Sequence, residues 1–179
     1  MNTWPVIHSK SLLLMAVHSL KTVQRIPGQL PAVWEFFSNP ANLQRITPTH
    51  LRFNIISHHH GNRMYAGQII EYKVSPLLGI PLYWMTEITQ VKDALYFIDE
   101  QRYGPYSLWH HQHHFKEIEG GVEMTDIVHY KIPLGWLGDA ANALFVRSQL
   151  RDIFSFRYQR TNEVFGEWPG ANPDLVFSR

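Results

Sequence analysis

The sequence predicts an α+β domain: a seven-stranded, curved antiparallel sheet wrapped around one long C-terminal helix, with two short helices between the first two strands. Three observations carry that expectation. Apolar and polar residues alternate at a period of two through most of 51–132. Glycine, proline and Lys-Asp turns cut the alternation at short intervals, which gives a meander of consecutive antiparallel strands. From Gly138 to Phe165 the period becomes helical, with no proline or glycine in between. A single amphipathic helix can cover such a sheet only if the sheet curls around it, and that arrangement leaves a cavity between the two.

The elements follow in order. Residues 16–26 alternate as a strand and stop at Pro27-Gly28. Pro31 opens a short helix that carries Val33, Trp34 and Phe37 at helical spacing, and Pro40 to Arg45 makes a second one. Strands are expected at 51–58, 67–75, 82–91, 95–103, 107–118 and 122–132. On the long helix, Ala143, Val146, Leu150, Ile153, Phe154 and Val164 are expected to form one apolar stripe. At ~1.5 Å per residue that helix spans a whole sheet. Residues 1–15 read as a flexible N-terminal extension, 16–165 as the domain and 166–179 as a loose tail.

Composition narrows the function. The 179 residues are 45% hydrophobic and 17% charged, which fits one ordinary globular domain. Lys plus Arg is 16 against 15 Asp plus Glu, too even a balance for a phosphate-binding face, so no nucleic-acid partner is expected. There is no cysteine, which excludes disulfides and thiolate chemistry and fits a reducing, cytoplasmic location. The longest early apolar run, Leu12 to Val17, is far short of the ~20 residues a bilayer needs, so no transmembrane segment is expected. Lys10 and this run faintly resemble a signal peptide, but no small-residue cleavage site follows. Met1 and Met15 are both compatible starts. The 6 Trp, 8 Tyr and 10 Phe point to a large apolar interior or pocket.

Several strings carry a resemblance. They are Pro31-x-Val33-Trp34-x-Phe36-Phe37-Ser38, Leu43-x-x-Ile46-Thr47-Pro48, Gly67-x-x-Ile70-x-Tyr72 and Trp84-x-Thr86-x-Ile88. Further along come Phe97-x-Asp99-x-Gln101-x-x-Gly104-Pro105-Tyr106 and Trp109-x-His111-x-His113-x-Phe115. Met124-x-Asp126-x-Val128-x-Tyr130-x-x-Pro133 and Leu150-x-x-Ile153-Phe154-x-x-Arg157 complete the set. In this order they resemble the START-like helix-grip superfamily of the birch pollen allergen and the polyketide cyclases. Within it the chain is similar to the SRPBCC ligand-binding family, in its cell-division-inhibitor-like subgroup. The resemblance implies a sheet–helix cavity for a small, mostly apolar molecule. It implies no reaction, because carriers, receptors and enzymes share this scaffold.

Alternation assigns the cavity walls. Tyr72, Trp84, Phe97, Trp109 and Tyr130 are expected from the sheet, and Val146, Leu150, Ile153 and Phe154 from the helix. Trp109 and Phe115 mark the inward face of their strand, so His111 and His113 point inward with them. A two-residue turn at Gly120-Gly121 would place Phe115 opposite Asp126 and His113 opposite Val128, with Asp126 inward and diagonal to His113. Phe97 likewise marks Asp99, Gln101 and Tyr103 as inward. Arg157 lies in the helix stripe, where a cation needs a partner, and Asp99 or Asp126 is the natural one.

Three readings of this inward polar group stay open. It is a satisfied network fixing sheet to helix, a recognition site for the polar end of a ligand, or an acid–base site in which Asp126 orients His111 or His113. The functions that follow are binding of a small hydrophobic or amphipathic molecule, or alternatively a cyclase, dehydratase or isomerase-type enzyme. A third is a protein-interaction module with a vestigial cavity. No cofactor and no metal is expected. His-x-His recurs at His58/His60 and His111/His113, but no third and fourth ligand is evident in the sequence, and His58–His60 read as a solvated loop edge. His110, Gln112 and His114 are expected to face water.

Overall fold

The computed structural model describes residues 17–57, 61, 63–77, 79–171 and 173–178. The N-terminal extension and His58–His60 lie outside them. The strands are β1 (His18–Pro27), β2 (Asn54–Ile55), β3 (Gln68–Leu77), β4 (Ile80–Lys92), β5 (Tyr96–Tyr103), β6 (Leu108–Ile118), β7 (Gly121–Lys131) and β8 (Asp174–Ser178). They form one open antiparallel sheet in the order β2-β3-β4-β5-β6-β7-β1-β8. Helix α1 (Leu30–Phe37) and a 3-10 turn (Pro40–Ile46) follow β1. Helices α2 (Trp136–Ala141) and α3 (Arg147–Phe165) are joined through a π turn (Asn142–Val146) into one long rod. The α+β class and the helix gripped by a sheet are as expected.

Several details differ. The 51–58 strand shrinks to Asn54–Ile55, because Thr49–Leu51 make a 3-10 turn closed by Arg52 at φ 47°. Leu51 and Phe53 are both buried, which mimicked strand alternation.

The 166–179 segment is not wholly loose. Asp174–Ser178 pair with Ser19–Val23 of β1, giving the sheet an eighth strand that covers an otherwise bare edge. Phe177 adds a reason for docking, since the guanidinium carbons of Arg147 and Arg151 stand 5.1 and 5.2 Å from its ring.

The helix stripe also departs from a regular period. The π turn shifts the phase, so Asn142 rather than Ala143 is buried, and Tyr130 Oη donates to Asn142 Oδ1 at 2.9 Å. Val164 is exposed, lying ten residues after Phe154 and hence about 80° round the helix. Tyr158 and Thr161 take the buried positions instead.

The β6–β7 turn is Glu119-Gly120 rather than Gly120-Gly121, because Gly120 takes φ 82° and Gly121 already pairs with Ile118. The register therefore moves by two residues: Phe115 faces Met124, His113 faces Asp126, His111 faces Val128 and Trp109 faces Tyr130. A shift of two keeps every side chain on its face.

Curvature comes from irregular pairing in β4–β5. Thr89 is extra between Ile88↔Asp99 and Gln90↔Ile98, and Arg102 is extra between Thr86↔Gln101 and Met85↔Tyr103. Such bulges bend and twist a strand pair. The first moves the buried phase of β4 from Ile88 to Val91; next to the second, Tyr103 is 62% exposed, against expectation. Under α1 the main core gathers Trp34, Phe37, Phe97 and Phe115, with Trp34 edge-on to Phe115 at 5.3 Å.

Candidate functional site

A cavity of ≈160 Å³ opens between the sheet and α3. Seven of the nine expected apolar wall residues line it: Tyr72, Trp84, Phe97, Trp109, Leu150, Ile153 and Phe154. Tyr130 and Val146 do not. Tyr130 is fully buried in a separate cluster with Leu20 and Val128, tied to Asn142, and Val146 packs on that cluster. Pattern reading missed the cavity's other wall, formed by Asn39, Asn42, Leu43, Thr47 and their neighbours in the 3-10 turn. Their only signal was Leu43 and Ile46 beside Pro48, which reads as a short helix with no visible facing partner. The wall also includes Thr86, whose Oγ1 accepts from Trp84 Nε1 at 3.1 Å and lies 2.9 Å from Tyr72 Oη. Burial holds the Tyr72 phenol well above its ordinary value, so that group stays protonated.

Gln101, expected among the ligand-binding residues, does not line the cavity. Its side chain donates to Tyr106 O at 2.6 Å and accepts from Tyr106 N at 3.2 Å, fastening the β5–β6 turn. That turn seats Tyr106 against Trp84 and Trp109, with ring centroids 5.6 and 4.9 Å away.

Asp99, His111, His113, Asp126 and Arg157 do come together, from β5, β6, β7 and α3. Asp126 lies beneath the cavity wall while the other four reach it. His111 Nε2 donates to Asp126 Oδ1 at 3.0 Å, and His113 Nε2 donates to Asp99 Oδ2 at 3.0 Å. The other ring nitrogens face the opposite carboxylates: His111 Nδ1 lies 3.5 Å from Asp99 Oδ2 and His113 Nδ1 2.7 Å from Asp126 Oδ1. The latter pair is not aligned for a hydrogen bond. The two imidazole centroids are 3.8 Å apart, and the His113 ring stacks on Phe97 at 4.0 Å. Direct opposition of His113 and Asp126, rather than the expected diagonal, is what places one carboxylate under both rings.

Electrostatics divides the histidines. Burial, with the neighbouring His113 charge, pulls His111 down to about 4 against the raising effect of Asp126 and Asp99. Burial also opposes charge on His113, but Asp126 and Asp99 outweigh it and hold that imidazole above its ordinary value. Burial would raise both carboxyls, yet the hydrogen bonds and charges of the two histidines keep Asp99 and Asp126 below the usual carboxylate range. The surroundings thus favour carboxylates at Asp99 and Asp126 and a neutral His111, and favour a proton on His113 more than water does, beside the Arg157 guanidinium.

Arg157 meets the expectation of burial but not that of a tight pair. Its side chain is 12% exposed, and its nearest acid contact, Nη1 to Asp126 Oδ1, is 3.9 Å, beyond hydrogen-bond range. The guanidinium carbon stands 5.0 Å from the Phe154 ring centroid, and Nε is buried with no partner among the described residues. On the outer face His110, Gln112 and His114 form a hydrogen-bonded strip anchored by Glu100.

Comparison with solved structures identifies this architecture. A protein from Chromobacterium violaceum, CV1439, superposes with a TM-score of 0.64 at 8% identity, covering 84% of this chain and 98% of that one. Ara h 8.0201 gives 0.54 at 13%, covering 83% and 99%, and a START superfamily protein from Mycobacterium smegmatis gives 0.57 at 9%, covering 82% and 99%. The fold is the START-like helix grip. At these identities the likeness concerns the fold alone. No family model and no curated protein matches the chain. Among the described residues, no helix of this helix grip is long and apolar enough to cross a membrane.

Proposed function

We propose that this helix-grip protein binds a small amphipathic molecule between sheet and helix, with the apolar body against Trp84, Trp109 and Phe154 and a hydrogen-bond acceptor at Arg157. The observation that carries the reading is Arg157 itself. A guanidinium has five donors, and leaving buried donors unmet is costly. Here it faces the cavity and makes no side-chain hydrogen bond with the described residues. The cavity's ≈160 Å³ is close to the ~150 Å³ apolar cavity that accommodates benzene, so the occupant is about the size of a substituted ring.

Native mass spectrometry of freshly purified, untagged protein tests for a retained occupant. Trp84 and Trp109 also allow a direct titration by intrinsic fluorescence. Benzoate should give a saturable change and toluene a weaker one, and Arg157→Met should erase the difference. No retained mass, together with no saturable change for either probe, would defeat the reading.

A second reading, acid–base catalysis of the cyclase, dehydratase or isomerase type, is favoured by His111. Its Nε2–H is engaged by Asp126, which leaves Nδ1 with a lone pair at the cavity wall.

A further inference from the structure

We propose that Asp99, His111 and His113 form a site for a divalent transition metal at the polar end of the cavity, with Asp126 holding His111 by a hydrogen bond from behind and lying close to His113. The sequence offered the His-x-His pair on β6 but no third ligand; β5 supplies Asp99. One donor atom from each of the three lies within 4.8 Å of the other two. Asp99 Oδ2 is 3.0 Å from His113 Nε2 and 3.5 Å from His111 Nδ1.

Proton counting shows why hydrogen bonds alone leave this cluster incomplete. All four ring nitrogens face a carboxylate oxygen within 3.5 Å. Filling every one of these contacts with a proton needs two imidazolium rings, whose centroids are only 3.8 Å apart in a buried site. With fewer protons, at least one lone pair meets a carboxylate with nothing between them, which is unfavourable in a low-dielectric interior. A cation seated between Asp99 Oδ2, His111 Nδ1 and His113 Nε2 removes that conflict. The remaining protons then sit on His111 Nε2, which is hydrogen-bonded to Asp126 Oδ1 at 3.0 Å, and on His113 Nδ1, which lies 2.7 Å from the same oxygen but off the hydrogen-bond direction. A carboxylate receiving the outer N–H of a ligating imidazole is the usual device for fixing its tautomer and orientation.

The donor set defines the metal class. Two imidazoles and one carboxylate suit zinc, iron, cobalt or nickel rather than magnesium or calcium, which take oxygen ligands. Asp99, His111 and His113 all line the cavity, so a further coordination position would open towards any molecule bound there. The inference does not depend on the small-molecule reading, since metal affinity is measured without any organic ligand.

The test uses untagged protein stripped with a chelator and titrated with Zn²⁺ and with Co²⁺ alone, by calorimetry and by visible absorption. One equivalent should bind, and Co²⁺ should show absorption of an ordered low-coordinate site. Asp99→Asn and His113→Asn should each weaken binding by more than about 100-fold, beyond the ~10–100-fold expected of Asp126→Asn. A variant with His58→Asn, His59→Asn and His60→Asn should bind unchanged. Should the cluster variants misfold, long-range ¹H–¹⁵N spectra of the unaltered protein with Zn²⁺ read the same site, as shifts at the His111 and His113 ring nitrogens. Absence of stoichiometric binding, binding lost with His58–His60 instead, or unshifted His111 and His113 rings would each overturn the proposal.

Discussion

Asp126 stands directly across the β6–β7 ladder from His113, and its Oδ1 lies within 3.0 Å of a nitrogen on each of His113 and His111. One buried carboxylate therefore lies against two imidazoles whose ring centroids are 3.8 Å apart and whose planes are tilted 40° to each other. Replacing it with alanine leaves both histidines and the Arg157 guanidinium with Asp99 as their one remaining acid in the cluster. Asp126→Ala should cost about 3–5 kcal/mol, as for removal of one partner from a buried ionic group. Urea melts measure this, and a loss below about 1 kcal/mol would mean that the cluster does not hold sheet and helix together.

Arg157 sits closest to Asp126 among acids, yet without a hydrogen bond to it. Arg157→Ala should therefore cost less than Asp126→Ala, about 1–2 kcal/mol, while reducing affinity for acceptor-bearing ring compounds. Equal losses in both variants would make the guanidinium structural instead of ligand-facing.

Stability of the chelator-treated protein should fall on both sides of about pH 6.5. His111 is held at about 4 when folded against 6.5 in the unfolded chain. The unfolded state binds the extra proton between those values, so stability declines as pH drops through that window. The depressed Asp99 and Asp126 add a further loss as pH falls below 3.8. His113 is raised, so its contribution is fully present below 6.5 and fades as pH climbs towards its folded value. Denaturant midpoints from pH 4 to 9 check the shape, and His111→Gln should flatten the 4–6.5 limb only.

Gly121 is confined by its neighbour strand. A Cβ there would fall 2.2 Å from the backbone oxygen of Ile26, which precedes its ladder partner Pro27 on β1. Gly121→Ala should cost at least about 2 kcal/mol, because backbone has to move apart. Gly135→Ala, at φ 57° but in open space, should cost only about 1 kcal/mol. Thermal melts of the pair compare crowding with conformational strain, and the opposite ranking would contradict the β1–β7 register.

Truncation after Gly166 removes β8 and bares the β1 edge from Ser19 to Val23. The shortened chain should lose stability and self-associate through that edge, visible as a concentration-dependent mass in light scattering. A monomer as stable as the full chain would show that β8 contributes nothing.

Much of this was legible in the sequence because a period of two and a period of 3.6 are local signals. Trp109, His111, His113 and Phe115 share a face whatever the partner strand, and the two-residue error in the β6–β7 register left Asp126 on the correct side. Gln101 falls outside the cavity lining, which alternation does not foresee because inward direction does not distinguish a turn fastener from a cavity wall. The Asn39–Thr47 wall was illegible because which helix caps a cavity depends on tertiary packing. Val164 and Ala143 were misplaced because a regular helical count does not foresee a π turn or drift over ten residues. Asp99 as a third neighbour of the histidines depended on β5–β6 pairing, which only the fold supplies.

The position of β1 in the sheet also sets a timetable for biosynthesis. β1 ends at Pro27, and its ladder partner β7 opens only at Gly121, more than ninety residues later. At roughly 5–20 residues per second, the first strand emerges on the order of 5–20 s before a partner exists for it. During that interval Leu20, Val23 and Ile26 have no sheet to join, so the nascent chain presents an unpaired alternating strand until β7 has been made.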